Sequence, residues 1–469
     1  MRMWNLNAFG DNIAIVEDTG AFLTYDQLSE ESQKLYSKIG ERCLIFILCR
    51  NSISSIKGYV AALNNNVVPL LLNADLNSKA LSNLLFEYSP KYVWAPNETD
   101  CLTGFDRIFD DGSYALFKNQ GETNYGLYND LALLLTTSGS TGSPKFVRQS
   151  YDNIKSNTKS IVEYLKIVPS DRAITTLPMN YTYGLSIINT HLFSGATLLV
   201  TEKTLMQKEF WTFLKEQKAT TFGGVPYTYE MLHRLRFERM DLPSLRYITQ
   251  AGGKLSVELQ KSFVAFSQKT GIGFIIMYGQ CEATARMSYL PAECSADHLG
   301  SIGIAIPGGK FKVMADDGTE ITTCNKPGEL VYIGSNVTLG YSFSKEDLFK
   351  GDERDGVLHT GDIAQFDENG YYYIVGRMKR FLKVFGNRVN LDEIEQLVKD
   401  KYVGIDCAVS GTDDHIEVFV TNFNDIDDIR KYLAHRTGLN PVAFNVHLIE
   451  QIPKNDSGKT LYEQLRSLS

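Results

Sequence analysis

A run of small polar residues that ends in a lysine has the clearest chemical capacity in this sequence. Residues 136–145 contain only Thr, Ser, Gly, Pro and Lys, and they follow the apolar run 131–135. A loop of this composition after a buried strand offers backbone N–H groups, hydroxyls and one cation within a small volume. The sequence therefore predicts a polyphosphate site, to which we assign Thr137, Ser138, Gly139, Ser140, Thr141, Gly142 and Lys145.

Two other interpretations of this loop fit the residues less well. In the nucleotide-binding loop of hydrolysing motors, four residues stand between the two glycines. Only two residues stand between Gly139 and Gly142 here. Pro144 also disfavours a helical conformation at the residue before it, so the chain cannot turn directly from Gly142 into a helix. A flexible surface linker is the other alternative, but such a linker rarely ends in Pro-Lys beside a buried strand.

The composition is that of an ordinary globular enzyme and argues against several kinds of partner. The chain has 469 residues and a formal net charge of -8, so we expect no general attraction for nucleic acid or anionic membranes. No apolar run approaches the roughly 18 residues that indicate a membrane span. The seven cysteines are scattered and form no Cys-x-x-Cys pair, which favours reduced thiols and a cytoplasmic location.

The order of apolar runs and amphipathic stretches predicts the fold class. A helical pattern with Leu28, Leu35 and Ile39 on one face ends at Gly40 and precedes the apolar run 43–49. Further apolar runs, each expected to form a buried strand, are 67–72, 174–177, 196–200 and 273–277. Strands and helices in alternation predict an α/β domain with parallel sheet.

The character of the sequence changes after Ile302 and again after Gly376. Short aromatic and β-branched stretches with a turn at 367–370 predict a β-rich subdomain of hairpins, and a basic stretch then leads into a small α/β unit. We therefore expect a large N-terminal domain, residues 1–378, with parallel-type sheets plus the β-rich subdomain. A small mobile α/β C-terminal domain, residues 379–469, is expected to follow.

The polar loop resembles the signature of the adenylate-forming superfamily of acyl-CoA synthetases, nonribosomal peptide adenylation domains and luciferases. That signature reads Thr/Ser-Ser-Gly-Thr/Ser-Thr-Gly-x-Pro-Lys-Gly, and the chain matches it from Thr137 to Lys145. Phe146 replaces the final glycine. Further motifs follow in the family's order over residues 20–462. The resemblance implies an enzyme that uses ATP and Mg²⁺ to convert a carboxylic acid into acyl-AMP.

The resemblance assigns the adenine and metal contacts to one short segment. Tyr278, Gly279 and Glu282 match the family's Tyr-Gly-x-Thr-Glu, in which the aromatic ring stacks on adenine and the glutamate helps to hold Mg²⁺. An apolar ring suits adenine, and a carboxylate oxygen suits Mg²⁺. Cys281 occupies the position where threonine is usual.

Four more residues are implied to contact the nucleotide. Gly252 and Gly253 resemble the segment that lets the backbone approach adenine and the acid. Asp362 matches the aspartate that accepts hydrogen bonds from both ribose hydroxyls, and Arg377 would add a further nucleotide contact. A carboxylate suits a diol because it presents two acceptors on one rigid plane.

Two lysines near the C-terminus are implied to control the reaction. Lys379 lies where the family places the residue about which the small domain rotates, and Lys459 matches the catalytic lysine, which neutralises charge that develops during adenylation. Rotation would then bring residues 383–390 to the site, where a thiol of coenzyme A or of an acyl carrier protein accepts the acyl group.

A non-catalytic nucleotide-sensing protein on the same fold is the alternative. The presence of Lys459, Glu282 and Asp362 together disfavours it.

The residues that the resemblance assigns to the acid pocket do not identify the acid. Tyr181, Thr182, Gly223 and Gly252 would line this pocket. Thr182 stands at about the place where enzymes for α-amino acids have aspartate, and a buried ammonium without a carboxylate is costly, so a standard α-amino acid is disfavoured. Arg286 would either meet a second carboxylate or phosphate of the substrate or form a structural ion pair, and both alternatives stay open.

Overall fold

The computed structural model describes all residues except 1, 101, 124, 137–144, 386, 403, 423–424, 455–459 and 467–469. Its contacts divide the chain into two units. Unit 1 comprises Met1–Lys310 with Tyr332–Leu358, and unit 2 comprises Phe311–Val331 with His359–Ser469. The predicted α/β class, with a larger N-terminal and a smaller C-terminal part, is confirmed. The predicted domain boundary at residue 379 stays a prediction.

The strands of the described residues are numbered in chain order. They are β1 (Ile13–Glu17), β2 (Phe22–Thr24), β3 (Leu44–Cys49), β4 (Val68–Asn73), β5 (Tyr92–Pro96), β6 (Phe105–Asp110), β7 (Tyr114–Asn119), β8 (Leu131–Thr136), β9 (Phe146–Ser150), β10 (Arg172–Ile174), β11 (Thr197–Val200), β12 (Thr221–Gly224), β13 (Tyr247–Gln250), β14 (Gly273–Tyr278), β15 (Ser288–Leu290), β16 (Ile304–Ala305), β17 (Gly309–Met314), β18 (Gly328–Gly334), β19 (Gly340–Ser342), β20 (Val357–Phe366), β21 (Tyr372–Arg377), β22 (Phe381–Val384), β23 (Asn387–Asn390), β24 (Cys407–Thr412), β25 (His415–Val420) and β26 (Phe444–Leu448).

The α-helices are numbered in the same way. They are α1 (Tyr25–Ile39), α2 (Ile53–Asn64), α3 (Ser78–Tyr88), α4 (Tyr151–Leu165), α5 (Thr182–Ser194), α6 (Lys208–Glu216), α7 (Pro226–Arg234), α8 (Val257–Thr270), α9 (Leu391–Lys401), α10 (Ile426–Thr437) and α11 (Tyr462–Arg466). Within the described part of the chain, none of the helices has the length and apolar character that a membrane crossing requires.

The first sheet of unit 1 presents a row of parallel strand ends. Its strand order is β16-β15-β14-β13-β12-β10-β11-β1-β2. The strands from β14 to β1 run parallel, and the pairing becomes antiparallel at both ends of the sheet. The carboxyl ends of β12, β13 and β14 therefore lie side by side, which is where open α/β sheets bind their ligands.

The second sheet of unit 1 carries the polar loop. Its strand order is β19-β9-β8-β4-β3-β5-β7-β6. The strands β8, β4, β3 and β5 are parallel, whereas β9 and β19 add antiparallel strands beside β8. The loop at 137–145 thus joins a central parallel strand to an antiparallel neighbour, with Thr136 opposite Phe146.

Two helices of unit 1 are buried on nearly all sides. Ten of the twelve residues of α2 and ten of the thirteen residues of α5 are buried. Both helices belong to a hydrophobic core that also contains residues of the two sheets, such as Ile15 and Ile47. A helix that is apolar all round requires a protein layer on each side. Tyr183, in the first turn of α5, lies against Gly223 at the end of β12, so the N-terminus of α5 lies near the strand ends of the first sheet.

Unit 2 contains smaller sheets. The four-stranded sheet, most of whose residues belong to unit 2, has the order β17-β18-β20-β21; the others are β22-β23 and β24-β25-β26. Ile394 of α9 and Ile429 of α10 pack in one core with Val409 and Val418 of the last sheet. The predicted turn at 367–370 is confirmed as the connection between the antiparallel strands β20 and β21.

The predicted elements of unit 1 agree closely with the structure, with one exception. Helix α1 buries Leu28, Leu35 and Ile39 and ends at Gly40 in the left-handed conformation, with φ 71°. The prediction of a strand over 174–177 is wrong, because β10 ends at Ile174. The Thr175 N–H still donates to the Leu199 carbonyl of β11, and the side chains of Thr175 and Thr176 also bond to backbone groups of neighbouring segments.

The buried His191 of α5 makes the stability of this fold depend on pH. Burial lowers the pKa of His191 to about 4. His191 of the unfolded chain therefore takes up a proton near pH 6.5, whereas His191 of the folded chain stays neutral until the pH approaches 4. Stability should fall as pH drops from about 6.5 to about 4, by about 3 kcal/mol in total. In His191→Gln, urea unfolding measured across this window should lose that slope. The exposed His233→Gln is the control and should keep it; an unchanged slope in His191→Gln would contradict the assignment.

Candidate functional site

The polar loop begins and ends on paired strands of unit 1. The predicted phosphate residues Thr137, Ser138, Gly139, Ser140, Thr141 and Gly142 lie outside the described residues. Lys145, the last predicted member, is described and directly precedes β9. The register of β8 and β9 holds the two ends of the loop side by side.

Phe146 departs from the family signature without disturbing the strand that follows the loop. Its side chain is 1% exposed. The ring packs edge-on against Tyr88, with 5.3 Å between centroids, in the core that also contains Leu134 and Leu339. The larger side chain thus points into the core, and the backbone continues from Lys145 directly into β9.

Tyr341 joins Lys145 to Glu282. The Nζ atom of Lys145 lies 3.5 Å from the centroid of the Tyr341 ring, and the Tyr341 hydroxyl donates to Oε1 of Glu282 at 2.8 Å. Burial, and then the Glu282 carboxylate, raise the pKa of the Tyr341 phenol, so it stays protonated as a donor. The other oxygen of Glu282, Oε2, has no hydrogen-bond partner among the described residues. The cluster therefore brings a carboxylate and an ammonium group together at the Tyr341 side chain, next to the start of β9.

Arg354 and Thr338 fix the backbone of Glu282. The Glu282 carbonyl accepts from the Thr338 N–H at 3.0 Å, from the Thr338 hydroxyl at 2.9 Å and from Arg354 at 3.2 Å. The Cζ atom of Arg354 also lies 4.5 Å from the centroid of the Tyr341 ring. A second cation near the same ring adds to the attraction and holds Tyr341 in place.

Cys281 links the predicted metal-binding segment to the end of β8. Its thiol donates to the carbonyl of Thr136, the last residue of β8, across 3.5 Å. The side chain is buried, and it therefore substitutes for the usual threonine as a weak donor at this point.

The segment after β14 folds back sharply so that Glu282 can reach this position. A Cβ on Gly279 would lie 1.8 Å from the carbonyl oxygen of Ala285, so only glycine permits this approach. Thr284 has φ 66° and ψ -59°, and the Ala285 N–H donates to the Ala283 carbonyl at 2.7 Å. This is a γ-turn with a β-branched residue at positive φ, a rare and strained conformation. Such strain is characteristic of functional sites.

Glycines let two tyrosine side chains pack closely against the carboxyl ends of β12 and β13. A side chain on Gly223 would meet the Tyr183 hydroxyl, and one on Gly252, at φ 85°, would meet the Tyr181 hydroxyl. Gly253 lies against Pro226, and its carbonyl accepts from the side chain of Gln250 at 2.9 Å. The predicted pocket residues Gly223 and Gly252 and the nucleotide residue Gly253 are thus brought together with the end of β14, where Tyr278 lies half-buried.

The start of α5 closes the predicted acid pocket. Tyr181 precedes the helix, and burial raises the pKa of its phenol. The Thr182 hydroxyl donates to the carbonyl of Thr284, which ties the helix to the strained turn after Glu282. This hydrogen bond gives Thr182 a structural partner that its sequence position did not predict.

Arg286 lies behind this pocket and is almost fully buried. Its NH1 donates to the Tyr164 hydroxyl at 3.2 Å and to the Met277 sulfur at 2.9 Å, and its NH2 donates to Ser186 at 3.1 Å. It forms no ion pair with any described residue. The structural ion pair, one of the two roles that the sequence left open, is therefore absent from the described part of the chain.

The ribose-binding candidates lie in unit 2. Asp362 on β20 stands directly opposite Arg377 on β21, with 3.3 Å between the Asp362 carboxylate and the Arg377 Nε. Asp362 is 3% exposed, and its N–H donates to the Thr360 hydroxyl. The turn at 367–370 by itself would place Asp362 opposite Gly376, and a β-bulge between Ile363 and Ala364 shifts the pairing by one residue to Arg377.

One of the two predicted lysines of the C-terminal region belongs to the described part of the chain. Lys379 lies in a short 3-10 helix, Met378–Arg380, that follows β21. Lys459 lies outside the described residues. Lys454 and Thr460 pair in an antiparallel bridge, and Lys454 forms an ion pair with Asp406 at 2.5 Å. The chain segments on each side of Lys459 are therefore anchored next to each other.

The described residues fit a metal ion that arrives with a nucleotide. They contain no cluster of three or more metal-ligating side chains. Mg²⁺ characteristically takes one or two carboxylates and completes its shell with water and substrate phosphates. A single half-buried carboxylate at Glu282, beside Lys145, matches this requirement.

The strand ends, the glycine-lined walls and the Glu282–Tyr341–Lys145 cluster define an adenylate-forming enzyme. The sequence profile of the family described as AMP-binding enzyme matches residues 3–342. The chain belongs to this family.

Relatives with known names support the same assignment. An oxalate–CoA ligase from Arabidopsis thaliana is 29% identical over 71% of the chain, a match that covers 66% of that ligase. A 2-succinylbenzoate–CoA ligase from Geobacillus sp. (strain WCH70) is 24% identical over 91% of the chain and 87% of the relative. The chain thus spans slightly less than two thirds of the first relative and most of the second.

Solved structures share the fold over the whole chain. An o-succinylbenzoate CoA synthetase from Bacillus subtilis, in complex with its acyl-adenylate intermediate, has a TM-score of 0.81 at 20% identity and covers 98% of this chain and 97% of its own. ATP-bound MatB from Rhodopseudomonas palustris has a TM-score of 0.78 at 22% identity, with 100% and 99% coverage. At these identities the likeness establishes the fold.

Three residues of the site were not found from the sequence. Tyr341, Arg354 and Thr338 lie more than fifty residues after Glu282, and no local pattern marks them as its partners. Only the pairing of β19 with β9 brings Tyr341 beside Lys145. The three side chains therefore could not be connected to Glu282 before the tertiary structure was known.

Removal of the Tyr341 hydroxyl should weaken the metal site selectively. Tyr341→Phe keeps the ring beside Lys145 and Arg354 but deletes the hydrogen bond to Glu282. We expect the Mg²⁺ concentration for half-maximal ATP-dependent activity to rise about tenfold, the scale of one hydrogen bond to a charged group. The maximal rate at saturating Mg²⁺ should change much less. Tyr227→Phe, at an exposed tyrosine, is the matched control; equal Mg²⁺ requirements in both variants would contradict this role.

Proposed function

We infer that this chain joins a carboxylic acid to the AMP part of ATP, releases pyrophosphate and then transfers the acyl group to a thiol. The observation that carries this inference is the position of Glu282 and Lys145 around Tyr341, where β8 and β9 meet the polar loop. MgATP requires carboxylate oxygen for its metal and a cation for its phosphate oxygens. Family membership supports the same reaction.

The first step is an in-line displacement at the α-phosphorus of ATP. A carboxylate oxygen of the acid forms a bond to this phosphorus, and the bond to the oxygen that bridges to the β-phosphorus breaks. Pyrophosphate leaves with that oxygen and its electron pair, so no oxidant is consumed. Lys145 and residues 137–142 hold the departing phosphates, and Glu282 is the proposed ligand of Mg²⁺. Bound Mg²⁺ supplies neutralisation of the phosphate charge.

The remaining nucleotide contacts orient the reacting phosphorus. Tyr278 stacks on adenine, and Gly279 and Gly253 let the backbone come close to the base. Asp362 accepts hydrogen bonds from the ribose hydroxyls, with Arg377 beside it. What supports this role for Asp362 is its fixed carboxylate, which stands opposite Arg377 in the β20–β21 register.

Lys459 and the hinge at Lys379 separate the two steps. In adenylation, the Lys459 ammonium neutralises charge that develops between the acid and the α-phosphate. The small domain, residues 379–469, then rotates about Lys379 and removes Lys459. The thiol sulfur attacks the acyl carbon, the bond from that carbon to the AMP oxygen breaks, and the thiol proton passes to solvent.

Coenzyme A is the favoured thiol, and an acyl carrier protein is the second candidate. The names of two relatives as CoA ligases support coenzyme A. Those names refer to acids as different as oxalate and 2-succinylbenzoate, so they do not select one acid for this chain. The spacing of the seven cysteines supports a cytoplasmic location for the enzyme.

The role of Lys459 is tested by pyrophosphate exchange. With a panel of aryl, fatty, hydroxy, dicarboxylic and amino acids, the wild type should incorporate labelled pyrophosphate into ATP when its acid is present. Lys459→Ala should reduce this exchange by about 10²- to 10³-fold, the scale of one lost transition-state contact. Lys431→Ala, an exposed lysine of the same unit, is the control. Unchanged exchange in Lys459→Ala would refute the assignment, and a nucleotide sensor would show no exchange with any acid.

The acceptor is tested by product analysis. With ATP, the active acid and coenzyme A, we expect acyl-CoA, AMP and pyrophosphate in equal amounts, because each turnover breaks one ATP and forms one thioester. A phosphopantetheinylated acyl carrier protein in place of coenzyme A is the parallel assay. Faster thioester formation on the carrier protein would reverse the preference for coenzyme A.

A further inference from the structure

Arg286 is a buried cation at the back of the acid pocket. It is 2% exposed and lies between Tyr164 of α4, Ser186 of α5 and Met277 of β14. Its Cζ atom lies 4.8 Å from the centroid of the Tyr183 ring. Several elements of unit 1 thus converge on one guanidinium group.

The charge of this guanidinium is not compensated by the described part of the protein. Tyr164, Met277 and Ser186 are neutral, and no described carboxylate pairs with Arg286. An arginine side chain cannot shed its proton at any ordinary pH, so burial leaves a full positive charge. Buried charges are costly unless they are paired. An anion bound beside Arg286 compensates this buried charge and explains why the protein retains it.

Two of the unsatisfied side-chain atoms in this part of unit 1 are hydrogen-bond donors. The Nε of Arg286 and the Nε2 of Gln149 are buried and have no partner among the described residues. Gln149 lines a small cavity between α4 and α5 whose polar wall also includes Asn157, Thr182 and Ser186. Ser186 also accepts a hydrogen bond from Arg286. A negatively charged group that accepts hydrogen bonds would satisfy these donors and pair with the Arg286 cation.

The cavity and the cation adjoin the predicted acid pocket. Thr182 and Thr284, which bond to each other at the pocket, both line the cavity. On the other side, the Tyr183 ring that stacks on Arg286 lies directly against Gly223. An acid that enters along Gly223 and Gly252 therefore approaches Arg286, and it reaches the guanidinium when the Tyr183 ring or the Thr182–Thr284 bond is displaced.

We propose that Arg286 binds a second anionic group of the acid, so that the substrate is a dicarboxylate or a carboxylic acid with another anionic end. This inference rests on the proposed function, because it names the substrate class of that same site. The carboxylate that attacks ATP lies at one end of the acid, and the Arg286 subsite, with Ser186 and Gln149, receives the other end. The competing explanation is a structural clamp that ties α4, α5 and β14 together.

Matched acids of equal length separate the two explanations. Pyrophosphate exchange is measured with butanoate against succinate, with pentanoate against glutarate, and with 3-phosphonopropanoate as a non-carboxylate anion. The wild type should prefer the dianions. Arg286→Met should lower kcat/KM for the preferred dianion by about 10²-fold or more, since it deletes one partner of a buried charge pair. Its kcat/KM for the monoacids should stay equal or rise. Arg286→Lys should recover part of the loss, because it keeps the charge without the planar fork.

Arg172→Met is the control for loss of a guanidinium. Arg172 also bonds only to neutral groups, the backbone and side chain of Gln217, and it lies at the start of β10 away from the pocket. The Arg172→Met variant should leave the ratio of kcat/KM for the dianion to kcat/KM for the monoacid unchanged. An equal loss with both classes of acid in Arg286→Met would overturn the proposal and favour the clamp.

Two further results keep the test decisive if Arg286→Met does not fold. Wild-type preference for the monoacids over the dianions would by itself overturn the proposal. Gln149→Leu should reduce exchange with the dianion about tenfold and spare the monoacid, as expected for one lost donor to a charged group; an unchanged ratio would count against the subsite. Exchange with monoacids alone would refute only this inference, whereas exchange with no acid at all would refute the proposed function.

Discussion

The tight reversal of the chain after β14 is the constraint on which the rest of the site depends. Gly279 approaches Ala285 so closely that no side chain fits, and Thr284 takes up a strained γ-turn. This reversal brings Glu282 from the carboxyl edge of one sheet to Tyr341 on β19 of the other. The strain persists because the Glu282 carbonyl accepts from Thr338 and Arg354, and because Thr182 bonds to the carbonyl of Thr284.

The charged groups around Tyr341 differ from those around Arg286. Beside the Tyr341 ring, the carboxylate of Glu282 stands with two cations, Lys145 and Arg354, so both signs of charge are present. Arg286 has only neutral partners among the described residues. A cluster with both signs of charge suits the proposed ligand MgATP, which also carries both signs, whereas a cation with neutral partners suits a ligand that brings negative charge alone.

Each unit carries its own set of predicted nucleotide-binding residues. Unit 1 holds the phosphate and metal candidates next to sheet strands. Unit 2 holds the carboxylate of Asp362 on a hairpin and the anchored segments on each side of Lys459. The proposed role of Lys459 requires that this lysine act in one step and leave before the next, and its place in a different unit from Lys145 is consistent with that requirement.

The sequence alone determined those features that depend on local composition and on short spacings. The polar loop, the buried runs that became β3, β4, β11 and β14, the helix α1 and the turn at 367–370 follow from periodicity and from turn residues. That turn does not by itself pair Asp362 with Arg377, because a β-bulge between Ile363 and Ala364 shifts the β20–β21 register by one residue. Tertiary structure alone decided that Tyr341 and Arg354 support Glu282, that Phe146 points into the core, that β10 ends at Ile174 and that Arg286 lacks an acidic partner among the described residues. The physical reason is that hydrogen bonding and burial between residues far apart in sequence depend on which strands become neighbours, and no local pattern encodes that choice.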